Sequence, residues 1–155
     1  MNILIDEHKE ALEKLLDNEV EFILVGGLAV IYYGYTRTTG DMDVWLKPTP
    51  QNQQKLIKFL KNEKIFDDDI VYLSGLDFTK HLVFHIGEEP LKIDFLTFIN
   101  GVTYEEADKI KNSFESGEYM IPVIHLNHLI ISKLSSSRMK DRADVEELQK
   151  VNKLK

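Results

Sequence analysis

The sequence predicts an α+β (α/β) domain, a small mixed β-sheet flanked by helices, and three observations carry that expectation. Segments with apolar residues three and four apart are interspersed with short, β-prone apolar runs. Glycine and proline are sparse, eight and four in 155 residues, which leaves most of the chain for regular structure. No repeat, low-complexity run or long linker divides the chain, and its length suits one core. The expected organisation is therefore a single domain over 1–155, with a core at about 20–100 and C-terminal helices at about 125–151.

Each element follows from local pattern. Residues 3–18 carry Leu4, His8, Ala11, Leu12, Leu15 and Leu16 on one helical face, with Asn18 as a stop. Glu21 to Val25 is an apolar run ending in Gly26-Gly27, the mark of a buried strand, and Leu28 to Tyr33 reads as a short helix stopped at Gly34. Residues 42–46 alternate apolar and acidic until Pro48 ends the strand. Helical spacing returns over 51–62, entered at Thr49 or Pro50. Residues 81–86 and 91–96 read as two strands joined by the loop Gly87-Glu88-Glu89-Pro90. A weaker strand is expected at 69–73, a helix over 104–114, and a short edge strand at 119–123 stopped by Pro122. Residues 125–151 read as two helices broken near Ser135-Ser136-Ser137.

Composition excludes several functions. There is no cysteine, so disulfides, thiolate metal sites and a cysteine nucleophile are ruled out. The net charge of −7 argues against broad binding to a polyanion and disfavours nucleic acid as a partner. No segment approaches the roughly 20 apolar residues that span a bilayer, and the N-terminus does not read as a signal peptide. A cytoplasmic location with no membrane partner is the expectation. Lys133, Arg138, Lys140 and Arg142 form a basic island in this acidic chain.

The chemistry-bearing residues begin with Asp41 and Asp43, two apart at a strand start and hence on one face. Adjacent carboxylates repel and gain nothing from burial, a conflict that a divalent cation such as Mg²⁺ resolves. Asp94 lies between Ile93 and Phe95 in an otherwise apolar strand, suited to a third ligand from a neighbouring strand. Three acids on two strands match metal-assisted phosphoryl transfer, with Asp94 available as a general base. Taken alone, a D-x-D pair flanking a turn and an acid capping an edge strand are common structural features. Gly26-Gly27, between strand and helix, lets a backbone approach phosphate closely, although a helix start can need glycine for packing alone.

Together these blocks resemble a known family. Val25-Gly26-Gly27, thirteen residues, then Asp41-Met42-Asp43-Val44, with Ile93-Asp94-Phe95 later, is similar to the signature of the polymerase-β-like nucleotidyltransferase superfamily. Gly26 through Val30, Gly34, Arg37, Thr39 and Asp41 resemble its small bacterial branch of nucleotidyltransferase-type antitoxins and, more distantly, lincosamide and aminoglycoside nucleotidyltransferases. Leu129 to Leu134 and Arg138 to Asp144 are similar to the C-terminal helices of that branch, so the resemblance covers roughly 20–150.

The resemblance implies a nucleotidyltransferase fold and an enzyme that moves a nucleoside monophosphate from a nucleoside triphosphate, with Mg²⁺ or Mn²⁺. Gly26 and Gly27 would hold the triphosphate. Asp41, Asp43 and Asp94 would bind metal and form the catalytic set. Arg37 is set to contact phosphate or to pair with a surface acid, while Thr38 and Thr39 suit a turn cap. Lys133, amid Ile130, Ile131 and Leu134, points either inward to the triphosphate or outward to solvent. Asp141 and Asp144 share a helix face and are read as mainly structural, in ion pairs with Arg138 or Arg142, with nucleotide or acceptor contact as the lesser reading. The acceptor would be a hydroxyl of a partner protein, as in a toxin–antitoxin pair, or of a small molecule such as an antibiotic. A non-catalytic binding module is the competing class. His81, His85, His125 and His128 form no zinc pattern and suit packing and capping, and Tyr35 is a weak candidate for stacking on a base.

Overall fold

The structure is a computed structural model that describes residues 3–35, 41–63, 67–88, 92–136 and 138–153. In chain order the elements are α1 (Asp6–Asp17), β1 (Phe22–Val25), α2 (Gly26–Tyr32), β2 (Met42–Leu46), α3 (Pro50–Glu63) and α4 (Asp67–Ser74). They continue with β3 (Val83–Ile86), β4 (Ile93–Leu96), α5 (Tyr104–Ile110), β5 (Asn112–Ser116), β6 (Tyr119–Val123), α6 (Leu126–Leu134) and α7 (Met139–Val151). The strands form one mixed sheet in the order β3-β4-β2-β1-β6-β5, so the expected α+β class holds. β2 is antiparallel to β1 and parallel to β4, which brings the start of β2 and β4 beside the end of β1. That end of the sheet holds the candidate site.

Burial explains why the central strands read as they do. All four residues of β1 are buried, as are Met42, Val44, Trp45 and Leu46 of β2, so an uninterrupted apolar run is what a doubly covered strand needs. Asn52 of α3, fully buried, stitches the far end of this pair. Its Oδ1 accepts from the Glu21 amide at 2.8 Å, and its Nδ2 donates to the carbonyls of Glu21 and Lys47. The Thr49 hydroxyl accepts from the Asn52 amide, the entry expected for α3. Among the described residues, no helix is long and apolar enough to cross a membrane.

Three elements differ from expectation. Residues 69–73 lie in helix α4 rather than in a strand. Ile70 and Leu73, three apart, turn toward the core while Val71 and Tyr72 stay exposed, and Asp68 and Asp69 sit where a helix start favours negative charge. The helix expected over 104–114 stops at Ile110 because Lys111 is extended, and residues 112–116 become β5. β5 turns at Gly117-Glu118 and pairs antiparallel with β6. As a result 119–123 is an internal strand between β1 and β5, not an edge, and Pro122 sits within it opposite Ser113.

Candidate active site

The sheet register sets the site. Val25 stands opposite Asp43, Asp43 opposite Asp94, and Asp94 opposite His85, a row crossing four strands. Partners in register project to the same face, so the two carboxylates lie side by side. Both line a cavity of about 500 Å³ together with Gly26, Lys133, Arg138 and Asp141. The pair is electrostatically frustrated: burial first, then the charges of Asp94 and Asp41, push the Asp43 carboxyl from 3.8 up to about 6, while Lys133 and Lys140 offset only part of this. Lys92, two residues before Asp94, approaches its carboxylate loosely, at 3.9 Å. Asp41 is half-buried and contributes its charge to Asp43, but it does not line the cavity.

Gly26 is required by this geometry in two ways. Its φ of +66° lies in the left-handed region. A Cβ there would sit 1.9 Å from Asp43 Oδ2, so the backbone of Gly26 lies directly against the carboxylate. Gly27 is buried behind it and is not part of the lining. The paired glycines thus divide: the first shapes the cleft and the second packs.

The opposite wall comes from α6 and α7. Lys133 is turned inward, only 8% exposed, and donates to Asp144 Oδ2 at 2.9 Å and Asp141 Oδ1 at 3.2 Å. Arg138 reaches Asp141 through Nε at 2.8 Å and Nη2 at 3.2 Å while its side chain stays largely exposed. Burial alone would raise the Asp141 carboxyl; hydrogen bonds from Ser136 and Arg138 and the Lys133 charge bring it below the ordinary value. Of the expected ion pairs, Arg138–Asp141 is present, and Asp144 pairs with Lys133. The inward reading of Lys133 is met in orientation, but its charge is already shared by two buried aspartates. The sequence signal for this was available, an inward lysine in an apolar helix followed by D-x-x-D across a helix break.

The donor set fits a hard divalent cation: oxygen donors only, two of them held side by side, with one carboxyl forced upward in the absence of compensation. Among the described residues no three His, Asp or Glu side chains form a ready-made cluster. Asp43 and Asp94 are the pair that the sheet fixes, and Mg²⁺ ordinarily completes its shell with water and phosphate oxygens. Arg37, Thr38 and Thr39 lie outside the described residues. Two histidines serve elsewhere: His125 Nδ1 accepts from the Asn127 amide and caps α6, and the His81 ring stacks on Phe98 at 4.3 Å. Tyr35 packs against the core, half-buried. Sequence reasoning did not anticipate that His85 would stand next to Asp94, because a hairpin register is invisible in a single strand.

The cleft is thus made of a carboxylate pair on the central strands, a glycine backbone pressed against it, and Lys133 and Arg138 from the C-terminal helices. The solved structures with this fold include the lincosamide antibiotic adenylyltransferase LnuA in its lincomycin-bound form, with a TM-score of 0.58 and 17% identity, covering 97% of this chain and 99% of that one. A candidate nucleotidyltransferase from Thermotoga maritima is similar too, with a TM-score of 0.56 and 14% identity over 97% of this chain and 94% of that one. At such identities the likeness shows the fold alone. A search of curated protein sequences finds no match. The family model described as "Nucleotidyl transferase of unknown function (DUF2204)" matches residues 5–155, and the chain belongs to that family of enzymes.

Proposed function

We propose that the cleft binds a nucleoside triphosphate with Mg²⁺ or Mn²⁺ and transfers its nucleoside monophosphate to a hydroxyl, releasing pyrophosphate. The observation that carries this reading is the in-register pair Asp43–Asp94 with the Gly26 backbone against Asp43. Asp43 and Asp94, with Asp41 beside them, would hold the metal. When bound, that ion supplies charge neutralisation for the triphosphate and for the attacking oxygen. Asp94 takes the proton of the acceptor hydroxyl. Gly26 leaves room for phosphate beside the carboxylates, and Gly27 supports that turn from behind. Arg138 spends two donors on Asp141 and keeps the rest of its guanidinium for phosphate. Lys133 acts through position and field, holding α7 on α6 and lending charge to Asp43. Arg37 stands in the sequence as a further phosphate contact, and a cytoplasmic enzyme with access to ATP suits the reading.

The acceptor is a small molecule or a partner protein's hydroxyl, the second being the antitoxin arrangement. Likeness in fold to an antibiotic adenylyltransferase gives the small-molecule reading its support. The test is pyrophosphate release from labelled ATP with Mg²⁺, with and without acceptors of both kinds. Release should need the metal and fall by about a thousandfold or more in Asp43→Asn or Asp94→Asn. Wild-type release in either variant would defeat the assignment.

A further inference from the structure

The structure holds a second cavity, of about 390 Å³, further along the same strands. It is walled by Trp45, Phe98, His81, Tyr104 and Ile99, with Glu106 at its rim. That size and aromatic lining are those of a small-molecule site. Trp45 is two residues along β2 from Asp43 and therefore on the same face, about 7 Å away along the strand. Ile99 lines both cavities, so the two sites share a wall. Trp45 is 1% exposed, and its indole N–H has no acceptor among the described residues. An unpaired buried donor is unfavourable, and a ligand oxygen seated against Trp45 would give it a partner. The stacked His81–Phe98 pair, His81 exposed and Phe98 half-buried, adds flat rings to the wall.

We propose that this second cavity is the acceptor subsite and that it takes a small ring-bearing alcohol, one with an apolar face and ether or hydroxyl oxygens. The role as acceptor subsite rests on the nucleotidyl-transfer reading above; occupancy of the cavity does not. In the transfer, the acceptor oxygen bonds to the α-phosphorus as the bond from that phosphorus to the bridging oxygen breaks. Pyrophosphate leaves with the electron pair, and the hydroxyl proton passes to Asp94. A ring held against Trp45 leaves its hydroxyl directed along β2 toward the carboxylates. A protein acceptor would instead present a loop too bulky for a cavity of this volume.

Trp45 is the only tryptophan in the chain, so its emission reports on the cavity directly. The full chain is titrated with phenyl glucoside as probe, without nucleotide or metal. A saturable change in emission, with affinity weakened about tenfold in Phe98→Ala, supports the site. No saturable change, or equal affinity in the variant, overturns it. With ATP and Mg²⁺ present, the probe should accelerate pyrophosphate release and itself acquire the nucleotidyl group. Binding without acceleration overturns the acceptor role. The two readings fail separately: Asp43→Asn should lose metal-dependent turnover and still bind the probe, whereas a cavity that stays empty leaves metal-dependent ATP turnover as evidence for the first site.

Discussion

Asp43→Asn should destroy activity and yet stabilise the metal-free protein, and the size of that gain can be worked from the structure. The carboxyl is raised from 3.8 to about 6 by burial, then by Asp94 and Asp41. At 1.36 kcal/mol per pH unit, the ionised form costs the fold about 3 kcal/mol. Because the folded value lies above the unfolded one, the fold binds the proton more tightly between 3.8 and about 6. Stability from this group is therefore present in acid and is lost as pH rises through the folded value. Urea unfolding of wild type and variant, without divalent ions, should show the variant ahead by about 2–3 kcal/mol near pH 8 and by about 2 kcal/mol less near pH 4.5. Mg²⁺ at about a hundred times its dissociation constant should then raise the wild type by about 2.7 kcal/mol and leave the variant unchanged. If Asp43→Asn is as stable as wild type at both pH values, the carboxyl is not frustrated and the argument for a cation fails.

Other consequences follow from the same geometry. Gly26→Ala should lose more than about 2 kcal/mol in urea unfolding, since a positive φ and an overlap with Asp43 are imposed together. Lys133→Met removes the ammonium that buried Asp141 and Asp144 share and should cost about 3–5 kcal/mol in the same assay; adding Asp141→Asn and Asp144→Asn should restore much of it. Arg138→Gln, at a largely exposed side chain, should change stability by less than about 1 kcal/mol while raising the KM for ATP several-fold. A wild-type KM there would remove Arg138 from the phosphate site.

Much of the site was legible in the sequence because strand periodicity is local. Asp94 and Asp43 stand out as acids in apolar strands wherever those strands lie, whereas Asp41, expected on the face of Asp43 by spacing, precedes β2 and does not line the cavity. The partner relation was not legible. That Asp43 meets Asp94 depends on β2 and β4 running parallel in one register, and no residue in either strand states it. The misread elements have the same origin. Residues 112–116 lack a strong apolar alternation and form a strand because β6 supplies its ladder, and residues 119–123 look like an edge only until β5 covers them. Residues 69–73 carry β-branched and aromatic side chains, yet the core takes the three-spaced pair Ile70 and Leu73.

The balance of charge around the cleft also decides between two ways of reading Lys133. A lysine turned into a triphosphate site is ordinarily taken as a free countercharge for phosphate. Here it lies 2.9 Å from Asp144 and 3.2 Å from Asp141, both buried, so one positive charge already faces two negative ones. Arg138 adds a second positive charge to that cluster through Asp141, whereas Asp43 has only the partial help of Lys133 and Lys140, and Asp94 has Lys92 at 3.9 Å. A triphosphate brought to such a cleft would add negative charge to negative charge. With these lysines in place the Asp43 carboxyl is still raised, and a divalent cation would offset that charge by binding carboxylate and phosphate oxygens at once. If the cleft takes a nucleoside triphosphate as proposed, its affinity for that nucleotide without divalent ions should be weak even in the intact protein.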